Sequence, residues 1–188
     1  MADQHHPGED AEEGAGDTDV ASRVRAVLLL LLGALVVVWV FSQGLTVYGR
    51  LPERMPTHFG PGGLPDAWGH KNPFAALGLV MIAGVELIGI TLLRARPQWF
   101  NFPGKEKALA LPPARRAHVY APLQESMAWL ASGIAIGLSL LCQQTWAVAL
   151  NEREGISPVL LLGPVVIGIG AVVIGAIAST RRVRALAE

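Results

Sequence analysis

Three side chains able to bind a metal or carry a proton fall close together: His58, Asp66 and His70. Their types suit zinc, and three such ligands plus a water would make a catalytic centre. The spacing matches no zinc-binding helix, however, and no supporting partners for the ligands are evident nearby. His5 and His6 are adjacent in an acidic tail and make an equally thin case. Metal is therefore the weaker reading, and no cofactor is expected. No serine or cysteine nucleophile stands beside a base in this stretch, so acyl transfer lacks machinery. The chain contains no P-loop or dinucleotide fingerprint. These residues argue for binding rather than catalysis.

Glu86 is the other candidate. It is the single charge in "PFAALGLVMIAGVELIGITLL", Pro73 to Leu93. A carboxylate inside an apolar run is costly and marks a functional site by default. The alternative is a protonated Glu bonded to a serine or carbonyl of a neighbouring helix, or one reaching toward the interface. A proton relay would need partners, and the other runs offer only Ser, Thr, Gln and Cys. A pump or transporter is disfavoured.

The elements that must position these groups are strongly apolar. Of 188 residues, 52% are hydrophobic, and the formal net charge is zero. Three runs carry no charge at all, from Ala26 to Gly49, Ser126 to Asn151 and Gly155 to Thr180, and the Glu86 run carries one. Each is long enough to cross ~30 Å of hydrocarbon as a helix. Four such runs exclude an ordinary soluble domain and predict an all-α membrane protein. The first run has no clean small-x-small cleavage site and reads as an anchor rather than a signal peptide. Cys142 is the only cysteine, so no intramolecular disulfide forms.

Lys and Arg set orientation. Eleven lie on one side of the four runs and four on the other. The expectation is both termini in the cytoplasm of a bacterial inner membrane, with "LPERMPTHFGPGGLPDAWGHK", Leu51 to Lys71, outside. The domain plan has a disordered acidic tail over 1–22 and a membrane domain over 23–150. Its spans lie near 25–48, 73–93 and 126–150. A fourth span near 156–180 and a short basic tail follow, within 151–188. The tail holds seven acidic residues and no basic ones.

Within the spans, Gly133 and Gly137 form a G-x-x-x-G that lets another helix approach closely. The partner is either the fourth helix, across "NEREGIS", or a second copy of the chain. Pro164 beside Gly163 can bend the fourth helix. Trp129 and Trp146 suit interfacial belts. The loop "RARPQWFNFPGKEKALALPPARRAHVYAP" mixes basic residues with Trp99, Phe100, Phe102 and Tyr120. Contact with the lipid surface is its economical reading and a cytoplasmic partner the competing one. Prolines divide its basic residues, so nucleic acid is not an expected partner.

In the histidine-bearing loop, Asn72 and Pro73 read as the cap and first residue of the second helix. Gly60, Gly62, Gly63 and Gly69, set among four prolines, predict compact turns. The order Leu51-Pro52, Pro56-x-His58-Phe59, Gly63-x-Pro65-Asp66, Trp68-Gly69 and Lys71 resembles a bacterial membrane domain of unknown function. That domain also forms the N-terminal part of the SdpI-type immunity proteins. "FNFPGKEKALALPPARRAHV" is similar to the following loop of some members, and the resemblance spans roughly Val24 to Leu150. It implies immunity to a secreted toxin, or sensing of it. The further C-terminal module of the immunity proteins, with its Gly-Arg and Trp motif, has no counterpart in "SPVLLLGPVVIGIGAVVIGAIASTRRVRALAE". The expected binding residues are His58, Phe59, Asp66, Trp68 and Lys71, and the partner is an extracytoplasmic peptide or membrane protein. An accessory or scaffold subunit is the alternative, and a metal-dependent membrane enzyme a third.

Overall fold

The computed structural model describes residues 7–186. It is mostly helical, with α1 (Pro7–Val47), α2 (Pro73–Arg94), a short α3 (Lys105–Ala110), α4 (Pro113–Ala149) and α5 (Pro158–Ala185). Between α1 and α2 stands a two-stranded antiparallel hairpin, β1 (Arg54–Phe59) and β2 (Pro65–His70). Four of the helices are long and apolar enough to cross a membrane, as in a multi-pass membrane protein.

The helix boundaries follow local chemistry. The Asn72 side chain accepts from Ala75 N at 2.8 Å and Pro73 is the first helical residue, so α2 starts as expected. Arg94 ends α2, and Arg182 and Arg184 end α5, where positive charge complements the exposed carbonyls. The tail expected to be disordered to Ser22 is helical from Pro7 onward, while residues 1–6, with His5 and His6, lie outside the described residues. No proline stands between Pro7 and Pro52, and a helix once nucleated propagates until something stops it. Similarly, α4 begins at Pro113 rather than near 126 and carries Pro122 within it. At 1.5 Å per residue its 37 residues reach about 55 Å, well beyond one hydrocarbon thickness.

The central element is α4, against which α1, α2 and α5 all pack. Helices α1 and α2 also touch, whereas α5 makes its extensive contact with α4 alone. Small residues set the close approaches. A Cβ at Gly137 would lie 2.7 Å from the Leu161 carbonyl oxygen, and one at Gly133 would collide with that of Pro164. From the α5 side, a Cβ at Gly168 would lie 2.7 Å from Leu130 Cα. The G-x-x-x-G face is thus occupied within the chain. Gly44 of α1 seats similarly against Leu77 and the Trp146 ring.

Trp146 does not join an interfacial belt. It is 4% exposed and its indole donates to Ala76 O at 2.7 Å, beside Cys142, Val40 and Met55. A buried indole needs an acceptor, and the Ala76 carbonyl supplies it. The loop aromatics depart from the lipid-surface reading too. Phe100, Phe102 and Tyr120 are buried with Val119, Leu123 and Val183, and the Phe102 and Tyr120 rings meet edge-on at 5.3 Å. Only Trp99 of that set stays exposed, with Arg96 over its ring. These aromatics build a small core of their own.

Candidate functional site

The hairpin is fastened at both ends, so its side chains are held in place. At its base, Lys71 N donates to Glu53 O at 2.8 Å, and Lys71 Nζ donates to Leu51 O at 2.9 Å. The same ammonium lies 3.4 Å from a Glu53 carboxylate oxygen and 5.5 Å above the Tyr48 ring. Leu51 and Met55 anchor this base in the core, at 3% and 0% exposure. At the tip, Gly60 N donates to Leu64 O at 2.9 Å and Gly63 N to Gly60 O at 2.8 Å. Gly63 has φ +79°, a left-handed conformation that favours glycine. Its carbonyl accepts from Ile156 N at 2.8 Å, which ties the tip to the α4–α5 connection. That connection is itself set by Gln144, whose side-chain oxygen accepts from Ser157 N at 2.6 Å.

The register places Arg54 opposite His70, Pro56 opposite Trp68, His58 opposite Ala67 and Phe59 opposite Pro65. An irregularity between Pro56 and His58 re-aims His58 toward Asp66, and its Nδ1 lies 2.6 Å from Asp66 Oδ1. Gly60 makes room for the pair, since a Cβ there would stand 3.2 Å from Asp66 Oδ2. Both side chains are more than half exposed. Such a pair contributes only about 0–1 kcal/mol to stability, so its effect is to orient the imidazole.

The expected site residues therefore separate into groups. His58 and Asp66 form a bonded pair. Half-buried Phe59 stands next to it, while Trp68, 43% exposed, borders a shallow depression with Pro65, Glu152 and Arg153. Lys71 is mostly covered and is a clamp rather than a contact surface. His70 sits at the hairpin base opposite Arg54, which is four residues along β1, about 13 Å, from His58. The three zinc-type ligands do not converge, and among the described residues no group of three His, Cys, Asp or Glu does.

Beneath the hairpin runs a groove of about 590 Å³. Thr57, His58 and Asn72 line its polar end, and Leu79, Ile82, Leu141 and Leu161 its apolar walls. Glu86 lies one turn of α2 beyond Ile82. Both of its carboxylate oxygens are shielded from solvent, and neither has a hydrogen-bond partner among the described residues. Among the described residues, the serine or carbonyl partner of the alternative reading is not found.

At the opposite end of the bundle stands a network that sequence reasoning missed. Asp19 accepts from Arg182 Nη1 at 3.1 Å and lies 3.0 Å from His118 Nδ1. Arg182 also donates to His118 O. Nearby, Arg25 and Glu125 form a bidentate pair at 2.7 and 3.0 Å. The partners are about 60 to 160 residues apart in the chain. No local spacing could have announced them.

Comparison with known proteins supports part of this chain. Residues 26–84 match the family model described as "Domain of unknown function (DUF1648)". The match covers the C-terminal half of α1, the whole hairpin and the first half of α2. An uncharacterised protein of Archaeoglobus fulgidus is 36% identical over 85 residues, 42% of this chain and 45% of its own length. The chain thus spans under half of that relative. No solved structure matches. Residues 26–84, which form a helix–hairpin–helix unit here, are the part of this chain that matches a domain of unknown function.

Proposed function

We propose that this is a non-enzymatic protein of the bacterial cytoplasmic membrane that recognises an extracytoplasmic peptide or protein through its hairpin. Both termini face the cytoplasm, as the excess of Lys and Arg on that side favours. The observation that carries the reading is a hairpin fixed at base and tip that holds His58 and Asp66 together at an exposed surface. A rigid loop binds without the entropy cost of ordering, so its polar and aromatic groups serve recognition efficiently. The resemblance to the SdpI-type immunity proteins supports a secreted toxin as the partner class and a sensor or immunity role. The match over residues 26–84 supports the same unit as the shared element.

Two experiments test this reading. A cysteine replacing Gly62, which has no neighbour within 4 Å of its Cβ position, should react with an impermeant thiol reagent on intact cells. One replacing Lys105 should react only after lysis; buried Cys142 does not compete. The reverse pattern inverts the topology. The variant His58→Ala/Asp66→Asn/Trp68→Ala should lose partner capture in membranes and any toxin tolerance. Unchanged capture and tolerance would end the recognition reading.

The second reading, an accessory or scaffold subunit, rests on α5. With Gly133 and Gly137 occupied internally, its outward face offers an apolar surface, with exposed Val166 and Ile174 and open positions at Gly163 and Gly170. Crosslinking in native membranes that returns only monomer would count against it.

A further inference from the structure

The groove under the hairpin opens beside the His58–Asp66 pair that the recognition reading also uses. We propose that it holds one acyl chain of an ethanolamine phospholipid from the leaflet on the hairpin side, with the headgroup at the His58–Asp66 pair. The inference shares the His58–Asp66 pair with the recognition reading, and retained lipid and partner capture report on the two separately.

The groove has the geometry of a leaflet. Along α2 it runs from Asn72 to Ile82, ten residues or about 15 Å, half of the ~30 Å hydrocarbon thickness. It is floored by Leu141 and Thr145 of α4 and lies between α2 and α5, which do not pack extensively on each other. A chain can therefore enter sideways from the bilayer. Its polarity runs as an amphiphile's does, with Thr57, His58 and Asn72 at the hairpin end and only aliphatic walls at Leu79 and Ile82. Its volume of about 590 Å³ falls in the ordinary range for small-molecule sites. A single acyl chain, whose length is half of the ~30 Å hydrocarbon thickness, matches the groove's reach and its one polar end.

Charge selects the headgroup. Nδ1 of His58 is engaged with Asp66, which leaves Nε2 as the ring nitrogen free to meet a ligand. Asp66 keeps acceptor capacity on its second oxygen. A free ring nitrogen beside an anionic acceptor fits a headgroup that carries an ammonium next to a phosphate. Around the hairpin, Arg50, Arg54, Lys71 and Arg153 are matched by Glu53, Asp66, Glu152 and Glu154, with Arg50–Glu152 and Lys71–Glu53 already paired. No cationic excess remains to favour a purely anionic headgroup.

The test uses the full chain, purified in mild detergent from membranes holding both ethanolamine and glycerol phospholipids, and read by native mass spectrometry. The wild type should retain about one phospholipid per chain, enriched in ethanolamine about tenfold over the bulk ratio. Ile82 is 48% exposed, so Ile82→Trp should fold and fill the groove, and retained lipid should fall to background. An unchanged melting profile for that variant makes the loss specific. Asp66→Asn should keep the lipid and lose the enrichment. Wild-type lipid in the bulk ratio would overturn the proposal. So would retention unaffected by Ile82→Trp in a folded variant, or a peptide or second chain found in the lipid's place.

Discussion

The two ends of the helical bundle are held by different means. At the hairpin end, bonds to backbone groups close the structure, most of them over short sequence distances: Lys71 N to Glu53 O, Gly63 N to Gly60 O and Ala75 N to the Asn72 side chain, with Ile156 N to Gly63 O as the long-range tie. At the opposite end, side chains far apart in sequence close the structure: Asp19 to Arg182, Arg25 to Glu125, and the aromatic core of Phe100, Phe102 and Tyr120. A backbone-held end tolerates changes to its exposed side chains and suffers when its glycines change. A side-chain-held end does the reverse. That difference can be broken experimentally in a definite order.

The largest effect lies in the region both ends share. Gly133→Leu would drive a side chain into the Pro164 carbonyl, where α4 and α5 meet most closely. Backbone obstructs here, and it cannot rotate aside as a flexible side chain could. The expected destabilisation is about 3 kcal/mol or more, seen as loss of the folded monomer in a detergent melting assay. An equal melting profile would mean that α5 is not packed on this face.

Next comes the opposite end. Asp19→Ala leaves the Arg182 guanidinium without its carboxylate and removes the partner of His118. Breaking a buried pair on one side costs 3–5 kcal/mol, and partial exposure of Arg182 reduces the expectation to about 2 kcal/mol. The double variant Asp19→Ala/Arg182→Ala should be less destabilised than the sum of the two single changes. Strict additivity would show that the network does not join α1 to α5.

At the hairpin end the corresponding change is Gly63→Ala. It places a Cβ against the Ile156 carbonyl in a left-handed backbone conformation. About 1–3 kcal/mol of strain is expected, concentrated locally. Hydrogen exchange should rise at Ile156 N, whose bond to Gly63 anchors the tip, while the Asp19 end stays protected. A uniform rise across both ends would mean that they melt as one unit.

The same contrast explains what the sequence could disclose. The four apolar helices, the Asn72 cap and the turn-rich loop were legible because each is written in adjacent residues. Lys71 was legible as part of a motif but not as a clamp, since its acceptors on Leu51 and Glu53 depend on how the strands register. Phe100, Phe102 and Tyr120 looked like interfacial aromatics because composition records no partner, and only the return of α5 past Gly104 brings Val183 onto them. Trp146 was misplaced for the same reason: Gly44 and Ala76, on two other helices, bury it. His118 and Asp19 carried no signal at all. Side-chain pairing across helices was hidden, except where Gly133 and Gly137 announced the close approach of α5, and most of what rests on local backbone chemistry was visible, the helical start of α1 apart.

The smallest effect on stability belongs to the pair that matters most for the functional reading. His58→Ala removes an exposed ring whose bond to Asp66 is solvated on both sides, so the change in stability should fall within about 0.5 kcal/mol. The hairpin does not need the pair, because its base and tip are held by Lys71, Gly60 and Gly63. Unaltered melting together with lost binding would place the 2.6 Å contact in function rather than in folding. If the melting temperature instead fell as far as it does for Gly63→Ala, the pair would be a structural tie. The hairpin would then offer no preformed polar surface, and the distinction between its two kinds of residue would collapse.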